Sequence, residues 1–178
     1  MERLVRLHRT AGAVACVLVF WGCDQVETYL HRETPAPPTA EEVEPYYAEH
    51  RGVIDVTMNG NVVELRVRQP FRQLERGGSL WARVGPFVYL MSPSTRSVFE
   101  ELPGVAAVRV ITVLPNGDEV ARAMLRRDGL SGVEWRRTLN ILGHALQEGQ
   151  ENPRRLEELT EWGEDHTEFH YNPDYVSP

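Results

Sequence analysis

Two histidines near the C-terminus are the residues whose type and spacing point most directly to chemistry. His166 and His170 stand four residues apart in the stretch EDHTEFHYNPDY. On a helix they would share one face, which is the usual arrangement when a third zinc ligand comes from elsewhere. The nearby acids Asp165, Glu168 and Asp174 are the available third ligands. A zinc peptidase would also need a glutamate directly after the first histidine, and this chain has none there.

The same tail also has a purely structural interpretation. Gly163 precedes the histidines and Asn172-Pro173 follows them, and both disfavour a stable helix across the pair. We therefore expect a polar C-terminal strap, with aromatic side chains pinning it to the domain. Those side chains are Phe169, Tyr171 and Tyr175.

Arginine supplies all 19 strongly basic side chains, since the chain contains no lysine. Its planar guanidinium can hold a carboxylate or a phosphate through two parallel hydrogen bonds, which an ammonium cannot do. Four arginines alternate with apolar residues in strand-like stretches, and they are predicted to form a docking face for an anionic partner. They are Arg66, Arg68, Arg122 and Arg126. The alternatives are that the acidic tail folds over them or that water solvates them.

Catalytic motifs are not found in the sequence. A nucleophile needs an activating base within hydrogen-bond reach, and the chain has no G-x-S-x-G elbow and no glycine-rich phosphate loop. His144 flanks an apolar helical stripe, where a histidine is usually packed or half exposed. We predict no catalytic residue and no cofactor, and we favour a protein that is not an enzyme.

The compartment of the protein is predicted from residues 11–25, which have the sequence AGAVACVLVFWGCDQ. Three arginines precede it, and residues 11–22 carry no charge. As a helix, twelve residues rise about 18 Å, against about 30 Å for the hydrocarbon core of a bilayer. A basic start followed by a short apolar run that ends in a small residue predicts a secretory signal peptide.

Gly22-Cys23 resembles the cleavage point of bacterial lipoprotein precursors. Gly22 and Phe20 fit the pattern before the cysteine, whereas the bulky Trp21 departs from it. The resemblance implies cleavage before Cys23 and a diacylglyceryl thioether on its sulfur. Cys16 is an alternative lipidation site with a shorter apolar run before it, and an uncleaved N-terminal anchor is an alternative to cleavage.

Lipidation at Cys23 would leave the mature domain without a free thiol, because both cysteines lie within the first 23 residues. An exported domain meets oxidants, so the absence of stray thiols fits export. The resemblance implies a bacterial membrane protein that is lipid-anchored and faces the periplasm, and Asp24 favours the inner membrane. Because the mature chain is acidic and exported, we exclude nucleic acid as a partner.

Charge and composition divide the chain into segments. Residues 24–49 are rich in Pro and Glu, a composition that predicts an extended tether. Residues 50–147 hold thirteen arginines against nine acids, and residues 148–178 hold two arginines against nine acids. We predict a signal peptide (1–22), a lipid-anchored tether (23–50), one domain (51–150), and a short helix with an acidic tail (151–178).

Local signals predict the elements of the domain. Asn59-Gly60 and the turn Pro115–Asp118 each join two strands of alternating pattern. The apolar stretch SLWARVGPFVYLMS, residues 79–92, is predicted as a third strand that is interrupted at Gly85-Pro86. Ser92-Pro93 opens a short helix, which allows one parallel crossover before the next strand.

Two further helices follow the second hairpin. Ser131 and Glu134 form a capping box before an apolar stripe, Trp135, Leu139, Leu142 and Leu146. Asn152-Pro153 begins the last helix, and Gly163 is predicted to end it. The order β-β-β-α-β-β-α-α predicts an α+β fold, with a mostly antiparallel sheet of about five strands and helices packed on one face.

Two functions remain open from the sequence. The favoured one is a lipid-anchored envelope protein that binds or scaffolds an anionic partner through its arginines. The alternative is a metal-binding protein or a metal-dependent envelope enzyme that uses His166 and His170.

Overall fold

A five-stranded sheet organises the part of the chain that the computed structural model describes, residues 35–69 and 71–176. The strands are β1 (Val53–Asn59), β2 (Val62–Arg68), β3 (Ala107–Val113), β4 (Glu119–Arg126) and β5 (Glu168–Tyr171). The helices are α1 (Ala40–Tyr47), α2 (Phe71–Gly77), α3 (Ser79–Leu90), α4 (Pro93–Glu101), α5 (Gly132–Glu148) and α6 (Pro153–His166). The α+β class with a mostly antiparallel sheet is therefore confirmed.

The strands lie side by side in chain order, and only β2 and β3 pair in parallel. A parallel pair needs a crossover connection, and α2, α3 and α4 provide it. The register sets Leu65 opposite Val110, and Val110 opposite Ala123. Because successive side chains alternate between faces, this register gathers the apolar residues of three strands on one face. The helices cover that face and form the core with it.

Most of the local signals in the sequence are confirmed. Gly60, with φ of 62°, turns the chain between β1 and β2, and Gly117, with φ of 92°, turns it between β3 and β4. Ser92 caps α4 by accepting a hydrogen bond from the Thr95 amide. Ser131 begins α5 with the predicted capping box. These signals depend on neighbours three or four residues away, so the local sequence is sufficient to specify them.

The predicted third strand is wrong, because residues 79–90 form helix α3. Its residues are all buried or half-buried, since α3 lies between strands β3 and β4 and helix α6. A helix that is buried on several sides has no polar stripe, so the helical period is hidden. Its Val, Phe and Tyr residues are types that favour strands, so the sequence predicted a strand here.

The predicted tether boundary at residue 50 also needs correction. Thr39 and Glu42 form a capping box that starts helix α1. Val43 and Tyr47 of this helix are buried in the core, and the Tyr47 hydroxyl hydrogen-bonds the Thr95 hydroxyl at 3.0 Å. The described residues from Pro35 onward belong to one compact unit, so the folded part begins well before residue 51.

The C-terminal segment is part of the same unit. Helix α6 continues past Gly163 to His166, so the predicted helix end is wrong. Gly163 is buried against the ring of Phe87, where a Cβ atom would overlap the ring. The chain then turns into β5, which pairs antiparallel with β4 and completes the sheet. Within the part of the chain that the structure describes, no helix is long and apolar enough to span a membrane.

Candidate binding face

The four predicted arginines lie on one face of the sheet, opposite the helices. Arg66 and Arg68 alternate with the buried Val67, and Arg122 and Arg126 alternate with buried residues of β4. Because β2 pairs with β3 and β3 pairs with β4, the two arginine pairs belong to a single surface. We call it the arginine face. The structure therefore places all four predicted binding residues on one face, with Arg66 and Arg122 level with each other and with Arg68 and Arg126 toward opposite ends of the sheet.

A fifth arginine, Arg109 of β3, lies between the two pairs and was not among the predicted residues. It alternates with Val108 and Val110, which are fully buried, so the period of two in AAVRVITV is the sequence signal from which its outward position could have been predicted. Its guanidinium donates to Glu64 at 3.1 Å and approaches the Met124 sulfur at 3.7 Å.

Acidic neighbours partly neutralise the face. Arg122 lies 3.5 Å from Glu119, and both side chains are substantially exposed. Arg126 lies 3.8 Å from Glu168 of β5, so the acidic tail does reach one edge of the face. Exposed ion pairs of this kind contribute about 0–1 kcal/mol, and solvent leaves them free to exchange partners. They do not prevent the arginines from binding another carboxylate.

Arg66 and Arg68 differ from the other three. Within residues 35–69 and 71–176, no carboxylate lies within 4.0 Å of either guanidinium. Arg66 and Arg122 both pair laterally with Ile111, which is only 8% exposed although it belongs to the outward face. We attribute its burial to the methylene stems of the two arginines, which can cover apolar surface while their charged ends stay in water.

A shallow depression of about 490 Å³ lies on the same face between β3, β4 and β5. Ile111 and Met124 contribute apolar surface, and Arg109 and Arg122 bring positive charge. His170 also lines the depression, because β5 pairs it directly with Arg122. A carboxylate that entered here would meet two guanidinium groups and an imidazole, together with the carboxylates of Glu64 and Glu168, which also line the depression.

His166 lies elsewhere. It ends α6, where its ring stacks on Trp162 at 4.0 Å between ring centroids and its Nδ1 lies 2.8 Å from the Trp162 carbonyl oxygen. His170 lies in a strand, so the two histidines do not share a helical face. No group of three or more His, Cys, Asp or Glu side chains arranged to hold a metal ion occurs in the described part of the chain.

The strap that carries His170 is held by a small polar cluster. Glu164 of α6 accepts hydrogen bonds from the Tyr171 hydroxyl at 2.7 Å and from Arg83 at 2.6 Å. The Tyr175 hydroxyl donates to Asp118 at 3.1 Å. Burial and the neighbouring Glu164 carboxylate raise the pKa of Tyr171 well above its usual range, so its hydroxyl remains a donor. Of the three predicted aromatic pins, Tyr171 and Tyr175 are confirmed.

Phe169, the remaining aromatic residue of the strap, is 45% exposed and stacks on Tyr171 at 5.1 Å between ring centroids. It contributes little burial and leaves an aromatic side chain at the edge of the sheet. Cys23, the predicted lipidation site, lies outside the described residues, as does the whole predicted signal peptide.

Comparisons of this chain with protein-family models, with curated proteins and with solved structures found no match.

Proposed function

We propose that this protein is a lipid-anchored protein of the bacterial envelope that binds an acidic protein partner through its arginine face and is not an enzyme. Cys23 would carry the lipid and hold the domain on the periplasmic side of the membrane, with Asp24 favouring the inner membrane. The observation that carries the binding role is the open sheet face, on which Arg66 and Arg68 have no ion-pair partner within the described residues.

A protein partner suits this face better than a lipid surface does. The face carries Asp55, Glu64, Glu119 and Glu168 beside its arginines. A layer of anionic headgroups would meet these carboxylates together with the guanidinium groups. A folded or extended protein segment can match individual charges, and it can also cover the apolar surface at Ile111 and Met124.

Charge reversal at Arg66 and Arg68 should abolish most of this binding. We expect the double variant R66E/R68E to bind a fluorescein-labelled glutamate-rich peptide at least tenfold more weakly than the wild type, because two attractive contacts become repulsive. Fluorescence anisotropy at low ionic strength measures the affinity, and added salt should weaken wild-type binding.

The matched control is R136E/R154E, which makes the same change in net charge at two exposed arginines on helices α5 and α6. It should bind the peptide within about twofold of the wild type. Equal losses in the two variants would mean that only the overall field matters and would contradict a specific face. Binding to vesicles that contain phosphatidylglycerol, without binding to the peptide, would indicate a membrane-docking surface instead.

Attachment to the membrane is tested separately. We expect the wild type, expressed in a bacterial host, to fractionate with membranes and to have the mass of a chain that begins at an acylated Cys23. A C23S variant should keep residues 1–22, because the lipid acceptor is missing. If both proteins are soluble and full length, the anchor and the envelope location are wrong.

A further inference from the structure

A second cavity, with a volume of about 220 Å³, lies on the helix-covered side of the sheet and extends to the end of β2, where Arg68 of the arginine face lines it. Its walls come from the ends of β2 and β3, from α3, from the C-terminal part of α5 and from the start of α6. Most of the lining is apolar. The apolar side chains include Val67, Val84, Val88, Ala145 and Leu156.

One polar group among these walls has an unsatisfied hydrogen-bonding atom. Gln69 is only 2% exposed, and its Nε2 donates to the carbonyl oxygen of Trp81 at 3.0 Å. Its Oε1 is buried and has no hydrogen-bond partner within residues 35–69 and 71–176. Exchanging the two amide atoms would not relieve this, because it would set an oxygen against the Trp81 carbonyl oxygen and leave the NH₂ group unpaired.

The amide of Gln69 packs closely against helix α3. Gly85 of α3 lines the same cavity, and a Cβ atom there would lie 2.7 Å from Oε1 of Gln69 and 3.1 Å from Cγ2 of Thr112. Glycine in a helix interior is unfavourable relative to alanine, so its presence here needs a reason. The reason we assign is that the absent methyl group makes room for the amide of Gln69. Its Oε1 has less than 1 Å² of accessible surface, so a bound donor reaches it only when the amide turns toward the cavity.

The rim of the cavity is also unusual. Leu146 is 63% exposed, so its predicted place in the apolar stripe of α5 is wrong; the buried residues of this helix are Trp135, Thr138, Ile141, Leu142 and Ala145. Leu146 lines the cavity together with Arg68 and Gln150, whose side chains are exposed. An exposed leucine at the mouth of an apolar cavity can close over a bound molecule and become buried.

We propose that this cavity binds a small neutral molecule that is largely apolar and carries one O–H or N–H donor, which hydrogen-bonds Oε1 of Gln69. An apolar cavity of about 150 Å³ accommodates benzene, so about 220 Å³ suits a ring with a few added atoms. A phenol-sized molecule meets both requirements. Its ring contacts Val84, Val88 and Leu156, and its hydroxyl satisfies the buried acceptor.

The test compares two probes of nearly the same shape, p-cresol and toluene, on the full-length protein. Calorimetric titration should show p-cresol binding at least tenfold more tightly than toluene, since only p-cresol offers a donor to Gln69. In ¹⁵N-correlated spectra, p-cresol should also shift the side-chain NH₂ signals of Gln69. Equal affinities for the two probes, or no binding of either, would overturn the proposal.

Two variants test the role of Gln69 and the location of the site. Q69L should lose the preference for p-cresol while still binding toluene, because the acceptor is gone and the apolar walls remain. A145L should bind neither probe, because the added carbons occupy the cavity. If Q69L does not fold, the comparison of the two probes on the wild type still decides the question. Binding of p-cresol by A145L with unchanged affinity would place the site elsewhere and contradict the proposal.

Discussion

Replacing Gly163 by alanine should lower the free energy of unfolding by about 1–2 kcal/mol, because overpacking a rigid core costs about 1–3 kcal/mol and the gain in helix propensity returns at most about 1 kcal/mol. An alanine methyl group would overlap three carbons of the Phe87 ring, the farthest of them at 2.8 Å. An aromatic ring cannot bend away as the end of a flexible side chain can. The helices α3 and α6 would have to separate, and both pack against the same core.

Thermal and urea unfolding measure this effect, and Gly143 provides the control. A Cβ atom at Gly143 meets no atom within 4 Å, and the residue lies inside helix α5. G143A should therefore raise the stability by about 0.5–1 kcal/mol. G163A should reduce Tm by about 3–8 °C for a domain of this size.

The variant F87L tests whether the overlap between a methyl group at residue 163 and the Phe87 ring causes the loss of stability. Leucine is smaller and more flexible than phenylalanine, so F87L combined with G163A should lose less than the sum of the two single losses. Additive losses would show that the two positions do not interact, and a neutral G163A would contradict the close helix packing.

Removing helix α1 should prevent stable folding. A chain that begins at residue 51 lacks Val43 and Tyr47, which are 0% and 2% exposed in the core. Burial of two such side chains contributes about 1.5–3 kcal/mol each, and the space they leave adds a further penalty. The free energy of unfolding of a single domain is only about 5–15 kcal/mol, so the stability lost with α1 is close to the total stability of the domain.

Hydrogen bonds add to this effect. Without α1, the hydroxyl of Thr95 loses its bond with Tyr47, and Glu101 loses the bond that Tyr46 donates at 2.9 Å. Circular dichroism and size-exclusion chromatography should show an expanded or aggregating chain for residues 51–178, whereas residues 35–178 should unfold cooperatively. A peptide of residues 35–50, added separately, should restore part of the cooperativity. Equal stability of the two chains would mean that α1 lies outside the folding unit.

Sequence patterns predicted the elements that depend on near neighbours. The two hairpins, the caps at Ser92 and Ser131, and the alternation in β2 and β4 all followed from contacts within a few residues. Helix α1 was missed because its Pro and Glu residues are typical of a tether, and Pro45 lies within the helix. Its helical state depends on the core that receives Val43 and Tyr47.

Strand β5 was missed for a related reason. Four residues with a polar pattern carry little strand signal, and the strand forms because β4 presents a free edge whose backbone groups need partners. Because β5 pairs with β4, the two histidines lie in different surroundings. His170 joins the arginine face, whereas His166 remains stacked on Trp162 at the end of α6.

The sequence by itself determined that Arg66 and Arg68 share one side of their strand, and that Arg122 and Arg126 share one side of theirs, because side chains alternate along any strand. Only the tertiary structure decided that these are the same side of one sheet, since this depends on β2 and β3 pairing in parallel across a long connection. The cavity at Gln69 also depends on the tertiary structure. Its walls come from five elements that are distant in the chain, and no local pattern records the space they leave between them.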